Sequence, residues 1–421
     1  MNSVCELAID GGTPTRTSPF PGWPQFEKEE IEAAESVIRS GRVNYWTGEQ
    51  GRSFEAEFAR FTHCKHAVAV ANGSVGLEAA LYALGIGPGD EVIVTSRSFI
   101  ASAACIPLRG ATPVFVDVDR DTQNITVETI RTALSTRTKA IIAVHLAGWP
   151  CDMDSINRLA REHGIAVVED CAQAHGAEYK GRPVGSLGDI ASFSFCQDKI
   201  MSTGGEGGMV VTSNSNLWEK VWSFKDHGKN RKLTEQRYDC GQFQWVHDSI
   251  GTNFRLTEIQ SAMGRVLLRK LTQAVQVRRD NANILTNEFS AIPGLRVTRP
   301  DQQIYHSYYK YYVFVRPDHL ERDWNRDRIL GAVRAEGIPC FTGSCSEIYL
   351  EKAFDHKGLL KARLPVAKKL GETSLMFLVH PTLTSEDIAD TCAAVRKVMV
   401  RAVRPTYTSV KVSYRVEITN A

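Results

Sequence analysis

Ile165-Ala166-Val167-Val168-Glu169-Asp170-Cys171, Ile190-Ala191-Ser192-Phe193-Ser194-Phe195-Cys196-Gln197-Asp198-Lys199 and Thr203-Gly204-Gly205-Glu206-Gly207-Gly208-Met209-Val210-Val211-Thr212 decide the fold. Each carries a short, nearly continuous apolar run, the pattern of a strand buried on both faces. The same rhythm runs upstream through 67–70, 91–94, 113–116 and 140–144, with helical text such as 75–84 and 153–163 between the runs. Strands that alternate with helices predict a mainly parallel sheet of seven strands, covered on both faces, in one large α/β domain.

The rhythm stops after about residue 215. Residues 225–250 are polar and longer than an ordinary connection, which marks a functional or mobile loop. A helix is expected from 256 to 271, with Ile259, Ala262, Met263, Val266 and Leu267 apolar, continuing toward Phe289 after a break. A strand at 311–315 and helices near 325–336 and 385–401 predict a smaller α+β domain. At the other end, Gly11-Gly12-Thr13-Pro14 and Pro19-Phe20-Pro21-Gly22-Trp23-Pro24 punctuate an irregular arm. A helix follows over 25–40, with Ile31, Ala34, Val37 and Ile38 on one face and Gly41 as its stop. The predicted organisation is an arm (1–24), a large domain (25–265), a small C-terminal domain (266–405) and a tail (406–421).

The 421 residues carry a formal net charge of +2, with 43% hydrophobic and 23% charged residues. That balance builds a core and gives no electrostatic reason to expect nucleic acid or an anionic membrane as partner. No apolar run approaches the roughly 20 residues that span a bilayer. The N-terminal residues show no basic segment followed by an apolar one, so no secretory signal is expected. Ten cysteines occur at irregular spacings without Cys-x-x-Cys, which predicts a reduced, cytoplasmic protein.

Four groups fall at the carboxyl ends of predicted strands, where open α/β sheets bind ligands. Lys199 ends a strand-like run before a glycine-rich turn, and Asp170 closes an earlier strand. This pair suits pyridoxal 5′-phosphate: the lysine forms the Schiff base and the aspartate keeps the pyridine nitrogen protonated. Taken singly, Lys199 reads as a surface lysine and Asp170 as a helix N-cap. Asn72-Gly73-Ser74 opens a helix after the first strand, where backbone N–H groups and the helix dipole suit a phosphate, with the Ser74 and Ser194 hydroxyls as further donors. Phe99 follows the second strand and offers either a ring to stack on the pyridine or a core phenylalanine. No metal is called for. A nicotinamide cofactor is excluded because no Gly-x-Gly-x-x-Gly follows the first strand.

With these residues in hand, the chain resembles the DegT/StrS-type aminotransferases over about residues 10–402. Beyond the motifs above, the resemblance rests on Gly110-Ala111-Thr112-Pro113-Val114-Phe115-Val116-Asp117, Glu169-Asp170-Cys171-Ala172-Gln173-Ala174-His175-Gly176 and Gly251-Thr252-Asn253-Phe254-Arg255-Leu256-Thr257-Glu258-Ile259-Gln260. It implies the fold of the fold-type I pyridoxal-phosphate transferases. It also implies an amino group passing from glutamate or glutamine to a keto sugar, most often nucleotide-linked, for polysaccharide or secondary-metabolite biosynthesis, with a keto-inositol acceptor as the alternative. Lys199 and Asp170 are then catalytic, and Gln173 bonds the ring hydroxyl. Phe99 stacks on the ring, while Gly73, Ser74 and Ser194 hold the phosphate. Asn253, with Arg255 close by, reaches the cofactor of a neighbouring subunit, which makes the expected homodimer part of the site. The sequence departs from the family's commonest pattern at Cys196-Gln197-Asp198, at Ser74, where threonine is frequent, and at His306-Ser307-Tyr308-Tyr309-Lys310-Tyr311-Tyr312 near the expected substrate. Related sugar dehydratases replace the lysine with histidine, so Lys199 argues for amino transfer. A non-catalytic cofactor-binding regulator lacks support because no separate DNA-binding module is present.

Overall fold

The computed structural model describes residues 6–235, 245–354 and 362–405. The expected tail and part of the 225–250 stretch lie outside them. All seven apolar runs form strands: β1 (His66–Val70), β2 (Glu91–Thr95), β3 (Thr112–Val116), β4 (Thr138–Val144), β5 (Ala166–Asp170), β6 (Ile190–Ser194) and β7 (Gly208–Thr212). They make one sheet in the order β1-β7-β6-β5-β4-β2-β3. Strand β7 runs antiparallel to both β1 and β6, and every other pairing is parallel. The carboxyl ends of β1 to β6 therefore share one edge, where Asp170 and Ser194 close their strands.

Alternation along each strand explains the double coverage. Ile93, Ile141 and Val167 enter one core, while Val92, Val94, Ile142 and Val168 enter the other. Helices α1 (Lys28–Ser40), α2 (Gln50–Phe61), α3 (Gly73–Ala83), α4 (Ala101–Leu108), α5 (Met153–His163) and α6 (Glu258–Ser290) carry the rest of the layering. Phe54, Phe58, Met153 and Ile156 of α2 and α5 fill the first core, and Leu77, Leu81 and Ile106 of α3 and α4 fill the second. A third core lies under a four-stranded antiparallel sheet, in which Tyr311–Val315 pairs with Leu295–Arg296 and Ser374–Phe377.

Two expectations are corrected. The break after residue 271 does not exist: α6 is one helix of 33 residues, opened by the Thr257–Gln260 capping box. No proline interrupts it, and its buried face passes from Leu268, Leu271 and Val275 in the first core to Ala282, Leu285 and Phe289 in the third. The boundary expected at 265/266 thus falls inside a continuous helix. Of the apolar face assigned to α1, Val37 is buried but Ile31 and Ile38 are not. The helix starts at Lys28, behind a Glu27–Glu30 capping box, and packs on α6 through Val37 and Glu30, whose carboxylate pairs with Lys270 at 2.7 Å. Ile31 and Ile38 remain 58% and 59% exposed. The arm is irregular as expected but well anchored. Leu7 is buried in the third core, and the Glu336 carboxylate accepts the Ala8 and Thr15 N–H groups, each at 2.9 Å.

Candidate active site

Strand β1 ends against the start of α3, and the turn between them is built for close approach. Asn72 caps the helix, its Oδ1 accepting the Val75 N–H at 3.0 Å. A Cβ on Gly73 would fall 2.6 Å from Ser194 Cβ, and one on Gly208 would fall 2.6 Å from the Asn72 carbonyl carbon. Only glycine permits both approaches, which bring the first turn of α3 onto the Ser194 hydroxyl at the end of β6. Ser74 is exposed beside them. Helix N–H groups, a positive dipole end and two hydroxyls form an anion cradle.

One strand over, Asp170 closes β5. Its carboxylate is buried and accepts the Ser102 Oγ–H at 2.7 Å and the Ala172 N–H at 3.1 Å. Ser102 also shares a hydrogen bond with Ser98 at 2.9 Å, so α4 and the β2–α4 turn hold the aspartate. Phe99, the residue after Ser98, is 63% exposed, which removes the core-phenylalanine reading and leaves its ring free. Gln173 is oriented by its Oε1, which accepts the Ala147 N–H at 2.8 Å and leaves the amide NH2 to donate. Glu169 points to the opposite face of β5. It accepts the Gly185, Leu187 and Gly188 N–H groups and pairs with His145 at 2.9 Å, so it organises the 185–188 turn.

Lys199 lies in the turn between β6 and β7. That turn is tied by Phe195 N–H to Gly207 O at 2.7 Å and Gln197 N–H to Gly205 O at 3.0 Å. Its side chain is mostly buried, with Nζ 3.6 Å from Asp198 Oδ1 and 4.9 Å from the centre of the Tyr309 ring. The Tyr309 hydroxyl donates to the other Asp198 oxygen. Trp23 of the N-terminal arm donates its indole N–H to the Lys199 carbonyl at 2.8 Å. Beneath lies His175, fully buried against Phe193 and Phe195. Burial first, and then the Lys199 charge, push His175 down to about 3.

Asn253 is exposed on the segment that follows the 225–250 stretch. Its backbone pairs with Asp226, and Arg255 pairs with Val70 at the end of β1, beside the α3 cradle. The Arg255 guanidinium donates to Asp226 at 2.8 Å. Ser102, Trp23, Asp198, Tyr309 and His175 are site residues to which the sequence reading gave no role. The unusual Asp198 next to Lys199 and the unusual 306–312 segment that holds Tyr309 were the local signals among them.

A buried carboxylate, an anion cradle at the start of α3 and a lysine in the turn after β6 fit a pyridine ring that bears a phosphate and a carbonyl. The DegT/DnrJ/EryC1/StrS aminotransferase family pattern matches residues 24–396. The chain belongs to this family. The aminotransferase is 37% identical over 357 residues to UDP-N-acetyl-3-dehydro-alpha-D-glucosamine 3-aminotransferase of Acidithiobacillus ferrooxidans, covering 85% of this chain and 90% of that protein. It is 38% identical over 295 residues to L-glutamine:2-deoxy-scyllo-inosose aminotransferase of Streptoalloteichus tenebrarius, covering 69% of each. Among solved structures it matches an aminotransferase from Psychrobacter cryohalolentis with a TM-score of 0.89 and 51% identity, covering 91% of this chain and 99% of that one. The aminotransferase depends on pyridoxal 5′-phosphate, as the family does.

Proposed function

We propose that this aminotransferase moves an amino group from glutamate or glutamine to a nucleotide-linked keto sugar. The observation that carries the reading is the meeting of Asp170, Ser194 and the α3 N-terminus at one sheet edge, with Lys199 in the turn that follows. Bound pyridoxal 5′-phosphate supplies an electrophilic carbonyl and an electron-accepting ring. Lys199 is the nucleophile that holds it and the base that moves the substrate proton. Asp170, fixed by Ser102 and Ala172, holds the proton on the ring nitrogen. Gln173 donates to the ring hydroxyl, Phe99 covers one ring face, and Gly73, Ser74 and Ser194 hold the phosphate.

Asn253 is assigned to the cofactor phosphate of a second subunit, so the working unit is a homodimer. Its exposure beside the β1–α3 turn supports this, because a residue at that edge is free to meet a partner's cradle. The eight described cysteines are all free, which suits a reducing compartment and supports a cytoplasmic location. No described helix is long and apolar enough to cross a membrane. An aminocyclitol precursor is the second reading of the acceptor, favoured by the likeness to the scyllo-inosose enzyme.

The test is to load the protein with the aminated cofactor and offer UDP-, GDP- and dTDP-linked keto sugars and keto-inositols. The expected result is return of the visible lysine-linked band with a nucleotide-linked keto sugar. Return only with a keto-inositol moves the assignment to the second reading, and no return with any of them refutes both.

A further inference from the structure

The roles above leave unused the cations gathered around Lys199. Two ammonium groups lie near the Tyr309 ring: Lys199 Nζ is 4.9 Å and Lys310 Nζ 4.8 Å from its centre. Behind it, the Arg278 guanidinium is 2% exposed, lies over the Trp23 ring at 4.9 Å and donates NH1 to the Tyr309 carbonyl at 3.2 Å, while its Nε and other terminal nitrogen make no hydrogen bond among the described residues. Among the described residues one carboxylate, Asp198, stands against these three cations, and it is already bound by Lys199 and Tyr309. No acidic side chain forms an ion pair with Lys310 among the described residues. His175 and His380, the neighbouring imidazoles, are each pushed down to about 3 by burial and carry no charge at neutral pH. Burial pushes Lys310 down to about 8 and Arg278 to about 9, with each cation adding to the effect on Lys310. The wall beside the nucleophile therefore has an excess of positive charge that an anion would relieve.

Two kinds of anion enter amino transfer to a nucleotide sugar. An amino-acid donor carries its α-carboxylate two bonds from the amine that reacts at Lys199. A nucleotide-linked sugar carries its phosphates on the far side of the sugar ring. A cation that shares a ring with Lys199 suits the first. We propose that Lys310 receives a carboxylate of the amino-acid donor, with Arg278 behind Tyr309 adding positive potential. This rests on the aminotransferase reading and names a residue that binds its donor. Lys310 makes and breaks no bond; it binds.

The two half-reactions separate this role from a general structural one. The lysine-linked visible band is followed in single turnovers with L-glutamate and with L-glutamine, and the reverse conversion is followed with the keto-sugar acceptor. Binding of glutarate is measured in parallel by calorimetry on the cofactor-loaded protein. Lys310→Met is expected to raise the half-saturating donor concentration and the glutarate Kd roughly ten- to hundredfold, the worth of one hydrogen bond to a charged group. The acceptor half-reaction should stay within about twofold of the wild type, and Lys310→Arg should recover most of the donor affinity. Equal effects on glutamate and glutamine assign the α-carboxylate; an effect on glutamate alone assigns the side-chain carboxylate. An unchanged donor constant, or an equal change in the acceptor constant, overturns the proposal while the visible band remains. A wild-type protein with no lysine-linked band overturns the cofactor reading and this site with it.

Discussion

Gly73→Ala puts a methyl group where the fold has no room for one. The new Cβ would lie 2.6 Å from Ser194 Cβ, 3.1 Å from Ser194 Cα and 3.3 Å from the Phe193 carbonyl oxygen. These atoms belong to β6, which is held on both sides by β5 and β7, so the strand cannot move away. Carbon atoms in contact need about 3.5–4.0 Å, so the first turn of α3 must withdraw by roughly 1 Å. Overpacking of this kind costs about 1–3 kcal/mol of stability whether or not the cofactor is bound. The same shift carries the α3 N–H groups away from the Ser194 hydroxyl. Losing one hydrogen bond to a charged phosphate, worth about 1.5–3 kcal/mol, raises the cofactor Kd roughly ten- to hundredfold. Urea melting of the cofactor-free protein reads the first effect, and titration of the visible band with pyridoxal 5′-phosphate reads the second. Ser74→Ala is the control: it removes an exposed hydroxyl without a clash, so it should melt within about 0.5 kcal/mol of the wild type and yet bind more weakly. A Gly73→Ala protein that melts and binds like the wild type would refute the close-approach argument.

Lys199→Ala should abolish the lysine-linked visible band while leaving the fold intact, and a band that persists would identify another lysine as the attachment point. Mixing Lys199→Ala with Asn253→Ala subunits should restore activity in heterodimers that retain one intact site; a heterodimer shown by native mass spectrometry to be inactive would count against the shared site. His175, His306 and His380 are buried and held near about 3, against about 6.5 for an unfolded chain. Below pH 6.5 the unfolded state therefore binds more protons, and stability falls with falling pH down to about pH 3, by about 1.4 kcal/mol per unit for each histidine and roughly 4 kcal/mol per unit for the three together. These groups give no pH dependence above neutrality, and a urea midpoint that holds steady from pH 7.5 to 5 would contradict their burial as neutral rings.

Much of the candidate site's placement was readable because its residues are fixed by their own strands and turns. Asp170, Ser194 and Gly73 lie at strand ends or helix starts that the apolar rhythm had already located, and that rhythm is local. The supporting residues were not readable, because their partners are remote in sequence. Ser102 meets Asp170 across 68 residues, Tyr309 meets Asp198 across 111 and Trp23 meets Lys199 across 176. The two misread helices fail for the same reason. Ile31 and Ile38 have the spacing of a core face, but the partner helix lies on the side of Val37 and Glu30. The stretch of α6 after residue 271 reads as a break, yet its polar Arg278 and Asn281 are buried.

By itself, then, the sequence determined the seven-stranded sheet and the edge where Asp170 and Ser194 close their strands, because periodicity and turn residues act over a few positions. Only the tertiary structure decided what surrounds Lys199. The arm, the middle of α6 and the 306–312 segment converge on one turn, and their charges interact through space rather than along the chain. Among the described residues, that convergence leaves Asp198 as the one carboxylate among Lys199, Lys310 and Arg278, a balance no stretch of sequence displays.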